Sequence, residues 1–261
     1  MEGMSPFISC QKRGGFPVYA NFAYIYDRLM SDVDYSRWAD HIQGIFRKYS
    51  FSPRLVLDLG CGTGSLCLEL TKRGYEMIGI DSSADMLSCA RNKFEAEGFD
   101  VLLINQDMTD FELYGTVDAI VCTMDSINYV TDSESVVRLF KLVRNYLNPG
   151  GLFIFDVNTL YKLKNILGNN VFYSTEDDIA YIWQNRFNSK KRTCEFELTF
   201  FVKNGELYTR FEETHVEKAF TQEEIEKFID GSGLRLLDVF DDLSFEKPSE
   251  KSERIFFICR G

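Results

Sequence analysis

Histidine is nearly absent from this chain: among 261 residues there are two, His41 and His215. That is too few for most histidine-rich metal sites, and no metal is expected. Excess positive charge is also missing. Lys and Arg total 29 against 40 Asp and Glu, a net charge of −11. Such a chain is a poor non-specific partner for nucleic acid or an anionic membrane, and RNA contact would need a local basic patch. No apolar run approaches the roughly 18 residues that span a bilayer. The N-terminal MEGMSPFISCQKRGG lacks the apolar core of a signal peptide. No zinc-like C-x-x-C pair occurs. The seven cysteines, Cys10, Cys61, Cys67, Cys89, Cys122, Cys194 and Cys259, are odd in number and widely spaced. They read as free thiols in a reducing compartment. The expectation is a soluble, cytoplasmic protein with an open oligomeric state.

Apolar residues make up 45% of the chain, enough for a sizeable core. The length suits one α/β domain with an insertion, or two small domains. Residues 1–18 read as a loose arm. Asp34 or Ser36 can cap a helix whose Trp38, Ile42, Ile45, Phe46 and Tyr49 share one face. Strands and helices then alternate. RLVLDL (54–59), YEMIGI (75–80), VLLIN (101–105), VDAIVC (117–122) and LFIFDV (152–157) read as strands. Helices follow Gly64, Ser82 or Ser83, and Thr131, Asp132 or Ser133, the last ending at NPGG (148–151). Continuous apolar strands between helices predict a buried parallel sheet.

From about 170 to 219 the period drops to two. DIAYIWQNRF, CEFELTFFVK and ELYTRFEETHV read as three antiparallel strands. An Asn204-Gly205 hairpin turn sets Lys203 opposite Glu206, Phe200 opposite Thr209, Leu198 opposite Phe211 and Cys194 opposite His215. One face is then apolar, from Cys194 to Val202 and from Leu207 to Phe211, with Glu213 and His215 at its end. That fits a sheet partly covering a site. Beyond it, TQEE (221–224) is a capping box, and Gly231 and Gly233 stop its helix. LRLLDVF (234–240) and RIFFICR (254–260) are joined by a loop too short for a crossover helix, so they pair antiparallel. The predicted fold is α/β and Rossmann-like. Its seven-stranded, mostly parallel sheet has an antiparallel last strand, and a small antiparallel β insertion follows the fifth strand. The predicted divisions are a cap at 1–50, the main domain at 51–160 and 220–261, and a substrate lid at 161–219.

VLDLGCGTGSL (56–66) places an acid at the end of an apolar strand, then three glycines at a helix start. Glycines there allow close approach to backbone and to free helix N–H groups, as for a nucleotide-type ligand. Ser65 occupies the sixth place of G-x-G-x-x-G, so the dehydrogenase fingerprint fails, and no G-K-[ST] follows. The spacing Asp58-Leu59-Gly60-Cys61-Gly62-Thr63-Gly64 resembles motif I of the class I S-adenosylmethionine-dependent methyltransferases. IGIDSSADML, INQDMTDF, CTMDSINYV and LNPGGLFIFDV extend the resemblance over roughly 50–160, and the last two strands over 220–261. Tyr19 to Asp27 fit Y-x-x-x-A-x-x-Y-D, which resembles a bacterial small-molecule-type subgroup. The layout also resembles sugar-amine N,N-dimethyltransferases.

The resemblance implies S-adenosylmethionine as cofactor, with Asp81 on the ribose hydroxyls, Asp107 on the adenine amino group and Met108 on the purine. It also carries cofactor binding to Tyr26, Trp38, Asp58, Gly60, Cys61, Gly62, Gly64, Ser82, Met86, Gln106 and Met124. Tyr19, Asn128 and Arg210 are carried over as substrate-binding. Asp125, Tyr129 and His215 are the candidates for orienting the nucleophile or taking its proton. Tyr129 stands where the sugar enzymes carry a histidine suspected as a base. The implied activity is methyl transfer to N or O of a small molecule. A tRNA- or protein-directed methyltransferase and a non-catalytic cofactor-binding module are the alternatives.

Overall fold

The structure, a computed structural model, describes residues 22–176 and 178–261. The arm at 1–18, Cys10 and Tyr19 lie outside the described residues. Two helices lead, α1 (Phe22–Leu29) and α2 (Tyr35–Lys48). Then come β1 (Leu55–Leu59), α3 (Ser65–Lys72), β2 (Glu76–Asp81), α4 (Ala84–Ala96), β3 (Leu102–Asn105) and β4 (Val117–Cys122). A 3-10 turn (Ser126–Tyr129) precedes α5 (Ser133–Tyr146) and β5 (Leu147–Asn158). A π-helical turn (Lys162–Leu167) opens the insertion of β6 (Val171–Thr175), β7 (Ile179–Asn188), β8 (Thr193–Asn204) and β9 (Leu207–Lys218). Last are α6 (Gln222–Ser232), β10 (Arg235–Asp241) and β11 (Arg254–Arg260).

The main sheet runs β10-β11-β5-β4-β1-β2-β3, with β11 antiparallel to both neighbours. Alternate residues of its central strands feed two cores. Leu57, Leu59, Ile120 and Phe153 pack toward α5 and α6. Val56, Val121, Ile154 and Phe256 pack toward α2, α3 and α4. Burial on both faces explains why these strands read as unbroken apolar runs. Local side chains fix the helix starts. Asp34, Ser83 and Asp132 each accept from a backbone N–H three residues on, and Thr221 and Glu224 close the capping box.

Several expectations need correction. The insertion has four strands, because the short β6 pairs with β7 ahead of the three expected. The β8–β9 loop is Gly205-Glu206, so Asn204 pairs with Leu207, Phe200 with Phe211 and Cys194 with Glu217. Gly205 has φ +64 at the first central position, where a II′ turn needs it. This displacement keeps parity, so Phe196, Leu198, Phe200, Phe211, Glu213 and His215 still share a face. Gly231 lies inside α6; only Gly233, at φ +83, ends it.

Candidate functional site

The three glycines after β1 all have positive φ: +81 at Gly60, +53 at Gly62 and +73 at Gly64. Their surroundings differ. A Cβ on Gly60 would lie 3.0 Å from Ser126 Oγ, and one on Gly64 3.0 Å from Phe94. Those two positions are set by packing. A Cβ on Gly62 would meet nothing within 4 Å. Gly62 therefore keeps open the space above the turn. Gly60 and Cys61 N–H donate to Ile80 O at 2.8 and 2.9 Å, fastening the turn to β2.

Two cavities meet here. The smaller, about 310 Å³, lies against Asp81, Gln106, Asp107 and Met108. The larger, about 650 Å³, runs from the glycine turn past Met86, Met124, Tyr26 and Trp38 to the inner face of the insertion. Gly60, Asp81, Ser82, Met108 and Tyr129 line both. Asp81 accepts from Gly62 N–H and Ser83 N–H, each at 2.8 Å. Burial raises its pKa, and these two donors oppose the rise. Asp58 is 3% exposed. Burial first, then the Asp81 charge, pushes its carboxyl up to about 7. Asp107 Oδ1 accepts from Thr109 N–H (2.7 Å) and Oγ1 (2.6 Å). Gln106 Oε1 accepts from Glu112 N–H at 3.0 Å. Helix α1 is fastened over the turn. Asp27 Oδ1 accepts from Thr63 Oγ1 at 2.6 Å, and Asp27 Oδ2 pairs with Lys93 Nζ at 2.8 Å.

After β4 the chain makes a sharp corner. Met124 and Asp125 have φ +57 and +58, left-handed values costly for non-glycine residues. Asp156 of β5 holds them there: its carboxylate accepts from Met124 N–H (2.7 Å) and Asp125 N–H (3.0 Å). Arg254 of β11 bonds Asp156 as well and reaches Asp125 Oδ1 at 2.7 Å. Its guanidinium lies 5.1 Å from the Trp38 ring centre. Asp125 is thus committed to an ion pair. Tyr129 is 46% exposed by area, yet its phenol pKa is raised, by burial first, then by Glu217 and Asp125. His215 differs from both. Its Nε2 is buried without a hydrogen-bond partner among the described residues. Burial lowers its pKa, so the imidazole is neutral near pH 7. Rings of Phe22 and Tyr129 flank it at 5.4 and 5.9 Å.

Two expected substrate contacts lie elsewhere. Asn128 is fully buried. Its Nδ2 donates to Asn158 O (3.0 Å) and Lys218 O (2.9 Å), while Oδ1 accepts from Asn158 N–H (2.9 Å). No part of its amide is left for a ligand. Arg210 pairs with Phe201 on the outer face of the insertion and bonds Glu212 there. Gly64 packs on Phe94 instead of lining a cavity. Sequence reading missed Glu217, Trp183, Lys162, Asp156 and Arg254. Three had a signal. Glu217 continues the alternation of Glu213 and His215, and Asp156 and Arg254 are charges at the ends of apolar strands.

Comparison with known proteins identifies the family and the fold. The family described as a methyltransferase domain matches residues 56–151. YqeM of Bacillus subtilis (strain 168), named as a methyltransferase, is 36% identical over 241 residues, 92% of this chain and 96% of its own. A crystal structure of an S-adenosylmethionine-dependent methyltransferase from Clostridium acetobutylicum ATCC 824 is 39% identical. It superposes with a TM-score of 0.85, covering 92% of this chain and 97% of that one. A dTDP-3-amino-3,6-dideoxy-alpha-D-glucopyranose N,N-dimethyltransferase from Streptomyces fradiae is 26% identical over 204 residues, 77% of this chain and 78% of its own.

Proposed function

This chain belongs to the class I S-adenosylmethionine-dependent methyltransferases, and from that premise we propose that it methylates a nitrogen or oxygen of a small molecule held in the larger cavity. The cofactor, S-adenosylmethionine, brings a methyl group already activated on a positive sulfur. The chain's own residues fit it. Gly62 leaves open space beside the turn. Asp81 offers carboxylate lone pairs beyond those its two N–H donors use, suited to ribose hydroxyls. Asp107 and Met108 line the adenine end. Tyr26 and Trp38 give aromatic surface suited to a sulfonium.

One observation carries the small-molecule reading: a cavity of about 650 Å³ joins the glycine turn to the insertion face and is walled by both. Within it the protein aligns the nucleophile with the methyl group and excludes water. His215 takes any proton the nucleophile must lose, because it is neutral and its Nε2 is free. Asp125, tied to Arg254, orients the corner instead. The Streptomyces fradiae relative, named for N,N-dimethylation of an amino sugar, supports nitrogen as the accepting atom. Cys61, Cys67, Cys122, Cys194 and Cys259 are free thiols, as in a reducing compartment.

The test is transfer from methyl-labelled cofactor into three separated pools: small metabolites, RNA and protein. Label in the metabolite pool, matched by S-adenosylhomocysteine, is the expected result. Label confined to RNA or protein would overturn the small-molecule reading. Tight cofactor binding with no transfer into any pool would make the chain a binding module.

A further inference from the structure

The acceptor half of the larger cavity is one positive charge short. Three carboxylates, the buried Asp156 and Glu217 and the half-buried Asp125, share one network with two cations, Lys162 and Arg254. Arg254 is committed to Asp125 and Asp156. Lys162 does not reach Glu217. Its Nζ donates to Asn158 Oδ1 at 2.9 Å, and Asn158 Nδ2 donates to Glu217 Oε2 at 2.8 Å, so one amide stands between the two charges. Glu217 lines the cavity and is 3% exposed. That single hydrogen bond is its only one among the described residues. A carboxylate so placed takes either a proton or a counter-ion. Burial and the Asp125 charge both raise its proton affinity, and the distant cations offset this only in part.

Around Glu217 the wall suits an organic cation. His215, two residues before it on β9, presents its unpartnered Nε2 from the same face. Trp183 of β7 adds a ring and a buried indole N–H with no partner among the described residues. Tyr181, Phe196 and Phe200 complete an aromatic surface on which a carbon skeleton can lie and a cation is favoured. Of the two cations among the described lining residues, Arg254 is held by Asp125 and Asp156, and Lys162 gives one donor to Asn158 Oδ1 with burial lowering its pKa.

Resting on the methyltransferase reading of this cavity, we propose that the methyl acceptor is a primary or secondary amine that enters as its ammonium ion, with Glu217 as its counter-ion. The ammonium gives one N–H proton to His215 Nε2. The freed nitrogen lone pair forms the new N–C bond as the methyl–sulfur bond breaks, and that bond's electron pair stays on sulfur. The product leaves as an N-methylammonium ion beside neutral thioether, and the imidazolium returns its proton to water.

The experiment is calorimetric titration at pH 7 of protein saturated with S-adenosylhomocysteine. The probes are 2-phenylethylamine and n-hexylamine, the neutral 2-phenylethanol and the anionic 3-phenylpropionate. The amines are expected to bind at least about tenfold more tightly than the alcohol (1.4 kcal/mol), and the carboxylate more weakly than either. Glu217→Gln should abolish the amine advantage while its affinity for S-adenosylhomocysteine, which also reports folding, stays unchanged. Equal binding of the alcohol, tighter binding of the carboxylate, no binding of the amines, or an advantage retained in Glu217→Gln would each overturn the proposal. The wild-type comparison decides even if the variant does not fold. Failure of wild type to bind S-adenosylhomocysteine at all would overturn the cofactor reading instead.

Discussion

His215 stands edge-on to Tyr129, with ring centroids 5.9 Å apart and planes at 80°. The contact braces the imidazole while its buried Nε2 stays unpartnered. His215→Phe keeps a ring in that place and removes the nitrogen. A fall in kcat of about 10²–10⁴ is expected, the usual share of a general base, with cofactor affinity unchanged. Stability should hold or rise, because an unsatisfied buried polar atom is lost. Rates of S-adenosylhomocysteine formation across pH check this; a wild-type kcat would remove His215 from the chemistry.

Asp81 ties Gly62 N–H to Ser83 N–H through one carboxylate. Asp81→Ala frees both donors and deletes the acceptor facing the smaller cavity. Cofactor affinity should fall at least tenfold, about 1.4 kcal/mol. Calorimetry with S-adenosylmethionine measures it, and an unchanged Kd would place the ribose elsewhere.

Arg254 neutralises Asp125 and Asp156 at once. Arg254→Ala would strand the half-buried Asp125 and the buried Asp156, and Asp156 holds the strained corner at Met124 and Asp125. The expected cost is about 3–5 kcal/mol, seen as a Tm lowered by roughly 10 °C for a chain of this size. A shift of a degree or two would mean that both carboxyls simply take up protons.

His41 lines neither cavity; it packs on Phe245 and Phe256, and its Nε2 has no partner among the described residues. Burial is the largest cause lowering its pKa, from 6.5 to about 4. The unfolded chain therefore binds more protons between those values. Stability from neutral His41 is complete above pH 6.5 and is lost as pH falls toward 4, by up to about 3 kcal/mol. His41→Gln does not titrate there. Denaturant unfolding at several pH values should give a flatter acid limb for the variant than for wild type.

The main sheet was legible because its signals are local. A strand's apolar run, the glycines and the capping side chains each announce themselves within ten residues. Asp58 and Asp81 were singled out that way, each at the end of an apolar strand. The hairpin register was misjudged because Gly205 serves Asn204-Gly205 and Gly205-Glu206 equally well, and only the strand pairing decides between them. Arg210 lies on the other face of the insertion from Phe211 and His215, a placement that the alternation along β9 already carried. Asn128 carried no such sign. Its partners sit 30 and 90 residues away, at separations only the folded chain defines.

Asn128 binds the backbone at Asn158, where the chain leaves the main sheet, and at Lys218, where it returns. One side chain therefore holds both ends of a sixty-residue excursion side by side. On the function proposed above, the inner face of this four-stranded sheet meets the acceptor, while the corner at Met124 and Asp125 and the glycine turn belong to the main sheet. Exchanging inner-face residues would then change which acceptor fits and leave the seat of the methyl donor in place.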